Sequence, residues 1–147
     1  MNIQIRPLQK TDYIQMIAMF KEFATFQKSA DRMKNSVEQM EQESDFVNGF
    51  VLEKDKGELI GYATYFYAYY TWTGKSLYMD DLYVKPAYRG NGYGQKLIES
   101  VIDKAKVDSC KKVHWQVSGW NKNAISFYKK LGAIVDDTEM NCDFWIK

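Results

Sequence analysis

Arg89-Gly90-Asn91-Gly92-Tyr93-Gly94 stands between a run of β-formers, Leu77 to Val84, and a stretch with apolar residues at Leu97, Ile98, Val101, Ile102 and Ala105. The first run reads as a central strand that Pro86 stops. The second has the spacing of a buried helical stripe and predicts a helix of about three turns. Glycines at 90, 92 and 94 let the backbone turn tightly and bring its N–H groups close to a ligand. With a helix N-terminus behind them, those N–H groups suit an anion such as a pyrophosphate, and Arg89 can add a charge-assisted contact. The spacing is neither G-x-G-x-x-G nor Walker A, which argues against a dinucleotide or a nucleoside triphosphate. A plain strand–helix turn is the competing reading of these residues.

Working outward, Ile3 and Ile5 alternate with polar residues, and Pro7 closes a short first strand. Thr11 and Asp12 can cap a helix with apolar positions Ile14, Ile17, Ala18 and Met16, Phe20, Phe23. Gln27 to Asn35 is polar and aperiodic, and Ser36-Val37-Glu38-Gln39 starts a short second helix ending near Ser44. Phe46 to Leu52 reads as a strand, Lys54-Asp55-Lys56-Gly57 as a hairpin turn, and Glu58 to about Tyr70 as a strand dense in aromatic residues. Thr71 to Lys75 is a turn into the central strand. Beyond the glycine loop and its helix, Val113, Trp115 and Val117 alternate with His114, Gln116 and Ser118. Asn121 caps a helix that ends at Gly132. Short strands around Ile134 and Phe144 complete an α+β order with a mixed, mostly antiparallel sheet and about four helices.

The bulk numbers narrow the class. A chain of 147 residues is expected to form one domain over 1–147 and to bury a core without staples. Hydrophobic residues at 46% and aromatics at 16% make it globular rather than disordered. A net charge of +1 gives no electrostatic footprint for nucleic acid. Cys110 and Cys142 make no disulfide framework. With neither a signal peptide nor a long apolar run, a soluble cytoplasmic protein without membrane partners is expected. No metal site is expected.

A second constellation is Trp120-Asn121-Lys122-Asn123-Ala124-Ile125-Ser126-Phe127-Tyr128-Lys129-Lys130-Leu131-Gly132. Asn121 and Tyr128 lie about two turns apart and project to nearly the same side of one helix. Each also has a structural reading, Asn121 as N-cap and Tyr128 as core. Asp80 and Asp81 form a third feature. Aspartate is disfavoured in strands, a buried carboxylate needs a partner, and a cationic substrate could supply one. Adjacent strand residues point to opposite faces, so at most one of the pair is expected to face a given cavity. An edge strand or a salt bridge is the alternative. Glu22 is a weaker second acid, with a solvated helix face as its other reading.

Together these segments resemble the GNAT acetyltransferase superfamily. Arg89-x-x-Gly92-x-Gly94 matches its acetyl-CoA signature, and Asn121-(x)6-Tyr128-x-x-x-Gly132 matches its second CoA-side helix. The diamine acetyltransferases, acting on spermidine, spermine or thialysine, are the closer likeness. Tyr70-Thr71-Trp72-Thr73-Gly74-Lys75 followed by Leu77-Tyr78-Met79-Asp80-Asp81-Leu82-Tyr83-Val84 looks like their Trp-x-Gly-Lys turn and acidic strand. Asp80 stands where these relatives usually carry Glu, and Gln27 where some carry a second acid.

The resemblance implies an acetyl-CoA-dependent N-acetyltransferase whose co-substrate contacts Leu82, Tyr83, Val84, Arg89, Gly90, Asn91, Gly92, Tyr93, Gly94, Asn121 and Tyr128. Leu82 and Val84 would hold the pantetheine arm by backbone pairing, and a backbone N–H near Tyr83 or Val84 would polarise the carbonyl. Tyr128 would serve the leaving thiolate, and Asp80 the amine, with Asp81, Trp72 and Glu22 near the substrate. The expected substrate is a diamine or polyamine, attacked directly in a ternary complex. A GNAT enzyme for another small amine (an amino acid, thialysine or a drug) and a CoA-binding sensor without turnover are the other readings. A homodimer is the expected assembly.

Overall fold

The computed structural model describes residues 1–146, which fall into two compact units, Met1–Gln116 and a second from Val117 onward. The first unit is built on a five-stranded sheet in the order β1-β2-β3-β4-β5. Its strands are β1 (Ile3–Pro7), β2 (Asn48–Lys54), β3 (Glu58–Tyr70), β4 (Gly74–Val84) and β5 (Val113–His114). Neighbours are antiparallel from β1 to β4, and β5 joins β4 in parallel. Its helices are α1 (Tyr13–Phe26), α2 (Val37–Gln42) and α3 (Tyr93–Val107).

One sheet face packs on α1 and α2. Tyr13, Met16, Ile17, Met19 and Met40 from the helices meet Val51, Leu59, Tyr62 and Tyr83 from the strands. Within this core Phe23 stacks on Tyr83 at 5.3 Å between ring centroids, and Phe20 meets Tyr62 edge-on at 5.0 Å. Each such pair adds about 0.5–1.5 kcal/mol beyond its buried area. Of the two apolar stripes expected on α1, the one carrying Met16, Phe20 and Phe23 faces the core, joined by Ile17. Ile14 is 72% exposed. The other sheet face, with Leu77 and Met79, lies under α3, whose Leu97, Ile98, Val101 and Ala105 are buried as the spacing predicts.

Sequence punctuation explains the ends. The Ser36 hydroxyl accepts from the Gln39 amide and caps α2. Asp12 precedes α1 but does not cap it; its carboxylate instead takes two bonds from Arg6, at 2.8 and 2.9 Å, and one from the Gln9 amide at 2.7 Å. Phe46, expected in a strand, lies in a short 3-10 turn ahead of β2.

The second unit holds α4 (Lys122–Leu131), capped by the Asn121 side chain at the Ala124 amide and ended by Gly132 with φ 104°. The strands expected around Ile134 and Phe144 are absent among the described residues. The expected strand through Val117 is likewise reduced to Val113–His114. Alternation shows that a segment could serve as a strand, but a strand exists only where a neighbouring ladder accepts it. Among the described residues no helix is long and apolar enough to cross a membrane.

Candidate active site

The β3–β4 ladder contains one irregularity, and the site is built on it. Tyr62 pairs with Tyr83, and Thr64 with Asp81, but Tyr65 pairs with Met79. Asp80 is therefore the extra residue of a β-bulge. A bulge shifts the side-chain alternation by one, so Asp80 and Asp81 are not sent to opposite faces as a regular strand would send them. The expectation that only one could face a given cavity is corrected on that ground. Their mutual influence agrees: the Asp80 charge is felt at the Asp81 carboxyl, and both charges are felt at the Tyr62 hydroxyl.

Asp81 accepts a hydrogen bond from the Tyr62 hydroxyl at 3.3 Å, and its amide donates to the Thr64 hydroxyl at 3.2 Å. Burial, then the neighbouring Asp80, pushes the Asp81 carboxyl up to about 6, while the Tyr62 bond works the other way. Burial also raises Asp80, although its side chain keeps contact with solvent. Two carboxylates in one partly desolvated place repel each other, and a cation placed between them relieves both costs. Glu22, an exposed residue of α1, accepts from the Tyr83 hydroxyl at 3.2 Å, so it keeps a solvated face while touching the same wall. Tyr62 is the member that sequence reasoning missed. Its signal was its period-two relation to Thr64, which becomes informative only once the bulge is known.

Beyond the bulge, β5 pairs with β4 only at Leu77 and Tyr78 among the described residues. β5 therefore does not take up the β4 edge at Leu82 and Val84; the Val84 carbonyl accepts from Arg89, and an extended chain pairing there would use the remaining edge groups. The glycine loop follows. Gly90 and Gly92 have φ of 83° and 82°, a region that side chains with Cβ rarely adopt. A Cβ built at Gly90, Gly92 or Gly94 meets no atom within 4 Å. Gly92 is the N-cap of α3 with no side-chain cap, and the first helical amides have no intrahelical acceptor. An open backbone surface of amides at a helix N-terminus fits the pyrophosphate of CoA. The Asn91 amide nitrogen donates to the Tyr88 carbonyl at 3.1 Å, so this side chain holds the turn itself. The Arg89 Nε donates to the Val84 carbonyl at 2.8 Å, and its guanidinium lies over the Phe26 and Tyr83 rings. Arg89 thus braces the loop against β4 and α1.

Trp72 stands in the turn joining β3 to β4 and is 99% exposed. The structure does not bring it beside the carboxylates. Tyr128 is a buried residue of α4 whose ring meets Phe127 at 5.4 Å. Asn121 performs its capping role at the start of the same helix.

Residues 13–133 match the acetyltransferase (GNAT) family. The chain belongs to the GNAT acetyltransferases. It is 35% identical over 143 residues to thialysine N-epsilon-acetyltransferase of Sus scrofa, which covers 90% of this chain and 84% of that one. It is 29% identical to human spermidine/spermine N(1)-acetyltransferase-like protein 1 over 89% of this chain, though that match takes in only 20% of the larger protein. An acetyltransferase of Trypanosoma brucei superposes with a TM-score of 0.78 at 21% identity, covering 97% of this chain and all of its own. The GNAT fold expected from the sequence is therefore present, and the protein is an N-acetyltransferase. Membership in the GNAT family implies acetyl-CoA as co-substrate.

Proposed function

We propose that this GNAT enzyme acetylates a primary amine carrying a second charge, a diamine or polyamine, by direct attack in a ternary complex. The observation that supports this best is the Asp80–Asp81 pair gathered on one face by the bulge, with Tyr62 donating to Asp81. Such a pair favours a cation and disfavours an anion or a neutral amide.

Acetyl-CoA supplies the acetyl group as a thioester, with its pyrophosphate on the loop of Gly90, Gly92 and Gly94. The amine must lose a proton before it can attack. For a primary amine of pKa 10.4, deprotonation at pH 7 costs about 4.6 kcal/mol. A carboxylate beside the ammonium aids binding but raises that cost, so the proton has to travel onward. Asp80, which keeps solvent contact, passes it outward directly or through water. A new N–C bond then forms as the C–S bond breaks, and the nitrogen's remaining extra proton leaves by the same outward path. Tyr128, assigned by the family likeness, donates a hydrogen bond or its proton to the departing sulfur.

A second reading is acetylation of a thialysine-like amino acid, which the 35% identity to the porcine enzyme favours. In both, the chain works as a cytoplasmic homodimer. The test is an amine panel with acetyl-CoA, following thiol release: diamines, polyamines, thialysine, lysine and monoamines. Turnover highest with diamines or polyamines supports the first reading. Turnover of thialysine alone supports the second, and thiol release from no amine removes both.

A further inference from the structure

The face that carries the carboxylates continues past them. On β3, alternation puts Tyr62, Thr64, Phe66, Ala68 and Tyr70 on one side. Phe66 pairs with Tyr78 of β4, and Tyr78 pairs with His114 of β5. Because Asp80 is the extra residue, Tyr78 falls on the same face as Asp81. At one end of this face α1 covers Tyr62 and Tyr83. At the other end the rings form a chain. Phe66 stacks on Tyr78 at 4.8 Å, Tyr78 lies 5.3 Å from His114, and His114 lies 5.7 Å from Tyr70. Phe66 is 44% exposed, His114 is exposed, and Tyr70 and Tyr78 are half-buried. The Lys112 ammonium sits 4.4 Å from the Tyr70 ring centroid.

We propose that this aromatic strip is the tail subsite of the amine cleft, with Phe66, Tyr78 and His114 receiving the remote cationic end of the substrate and Lys112 closing the outer end as a length stop. The inference rests on the amine-acetyltransferase reading above and adds what selects among amines. Three features of the strip carry it. It begins at the carboxylate pair, so a substrate whose reacting nitrogen lies at Asp80 and Asp81 has its tail directed along the rings. From Phe66 to Tyr70 the strand rises about 13 Å, room for an extended aliphatic chain. Methylene groups lie favourably on ring faces, and an ammonium is attracted to them. The protein's own cation over Tyr70 shows that this end accepts an ammonium, and its presence makes a second one there unfavourable. Partial desolvation among the rings, then the Lys112 charge, also holds the exposed His114 below its ordinary pKa of 6.5, so at neutral pH it adds a ring rather than a repelling charge.

The experiment compares kcat/KM for pentylamine, cadaverine and spermine in the parent, Phe66→Leu, Tyr78→Leu, Tyr78→Phe and Lys112→Met. The parent should prefer cadaverine to pentylamine. That preference should shrink by about three- to thirtyfold in each leucine variant and return in Tyr78→Phe, the range expected for one cation–π contact. In Lys112→Met, spermine should gain on cadaverine by a similar factor. A parent that uses pentylamine and cadaverine equally, or folded leucine variants whose ratio moves less than twofold, overturns the strip while leaving the acetyltransferase reading intact. A leucine variant that turns dimers into monomers in sedimentation, with its amine ratio unchanged, shows the strip to be an interface between copies. A parent that turns over no amine removes the proposed function, and this inference with it.

Discussion

Among the carboxyls of the site, Asp81 is the one whose ionisation the fold shifts furthest. Its carboxyl is raised to about 6 from 3.8, so folding disfavours the charged form. Below about pH 3 the group is protonated in both states and contributes nothing to the balance. Between about pH 4 and 6 the unfolded chain ionises first, and stability falls by about 3 kcal/mol as pH rises through that window. Asp81→Asn keeps an acceptor for Tyr62 and removes the charge. Urea unfolding should find it about 3 kcal/mol more stable than the parent at pH 7.5 and indistinguishable near pH 3; equal stability at both would show that Asp81 is not desolvated. Tyr128 has a different signature. Tyr128→Phe should lower kcat by about 10²–10³ with little change in the acetyl-CoA dissociation constant. Turnover within threefold of the parent would pass the role to another group or to water.

Among the elements, β3 and the buried stripe of α3 were the most legible. A dense run of Tyr, Phe and Ile between turn residues admits few alternatives to a strand, and Leu97, Ile98, Val101 and Ala105 repeat with the helical period. The bulge was not legible. It arises from how two strands match in register, and nothing in Met79-Asp80-Asp81 taken alone reveals the extra residue. The same reason hides the grouping of Asp80, Asp81 and Tyr62, and it misplaced the two acids on opposite faces. The start of α3 carries its own prediction. Gly94 lies inside the helix with an ordinary φ, and a Cβ there meets nothing within 4 Å. Gly94→Val should therefore leave the free protein as stable as before, since glycine is the poorer helix former by a few tenths of a kcal/mol. Its side chain would stand where the backbone must approach the pyrophosphate. Calorimetry should show acetyl-CoA affinity reduced by about tenfold or more, and retained affinity would reject the loop's role.

For the molecule as a whole, an ion cluster ties the sheet edge of the first unit to its first helix. Arg6 of β1 meets Asp12 at 2.8 Å and Glu53 of β2 at 3.1 Å, joining the sheet edge to the start of α1. Burial alone would raise the Asp12 carboxyl, yet Arg6 and the Gln9 amide hold it below its usual range. Its contribution is present above the ordinary carboxylate pKa and is lost as pH falls through the lowered one. Asp12→Asn should cost about 3 kcal/mol in urea unfolding at pH 7, and a loss under half of that would mean the cluster is decorative. The aromatic core beside it has a spectroscopic consequence. Tyr13, Tyr62, Tyr83, Phe20 and Phe23 build that core, whereas Trp72 is 99%, Trp145 67% and Trp120 46% exposed, and Trp115 is only half-buried. Indole emission from the native protein should already resemble that of indole in water and change little on denaturation. The near-ultraviolet circular dichroism of tyrosine will report the collapse of the core, and an optical assay that watches tryptophan alone will pass over it.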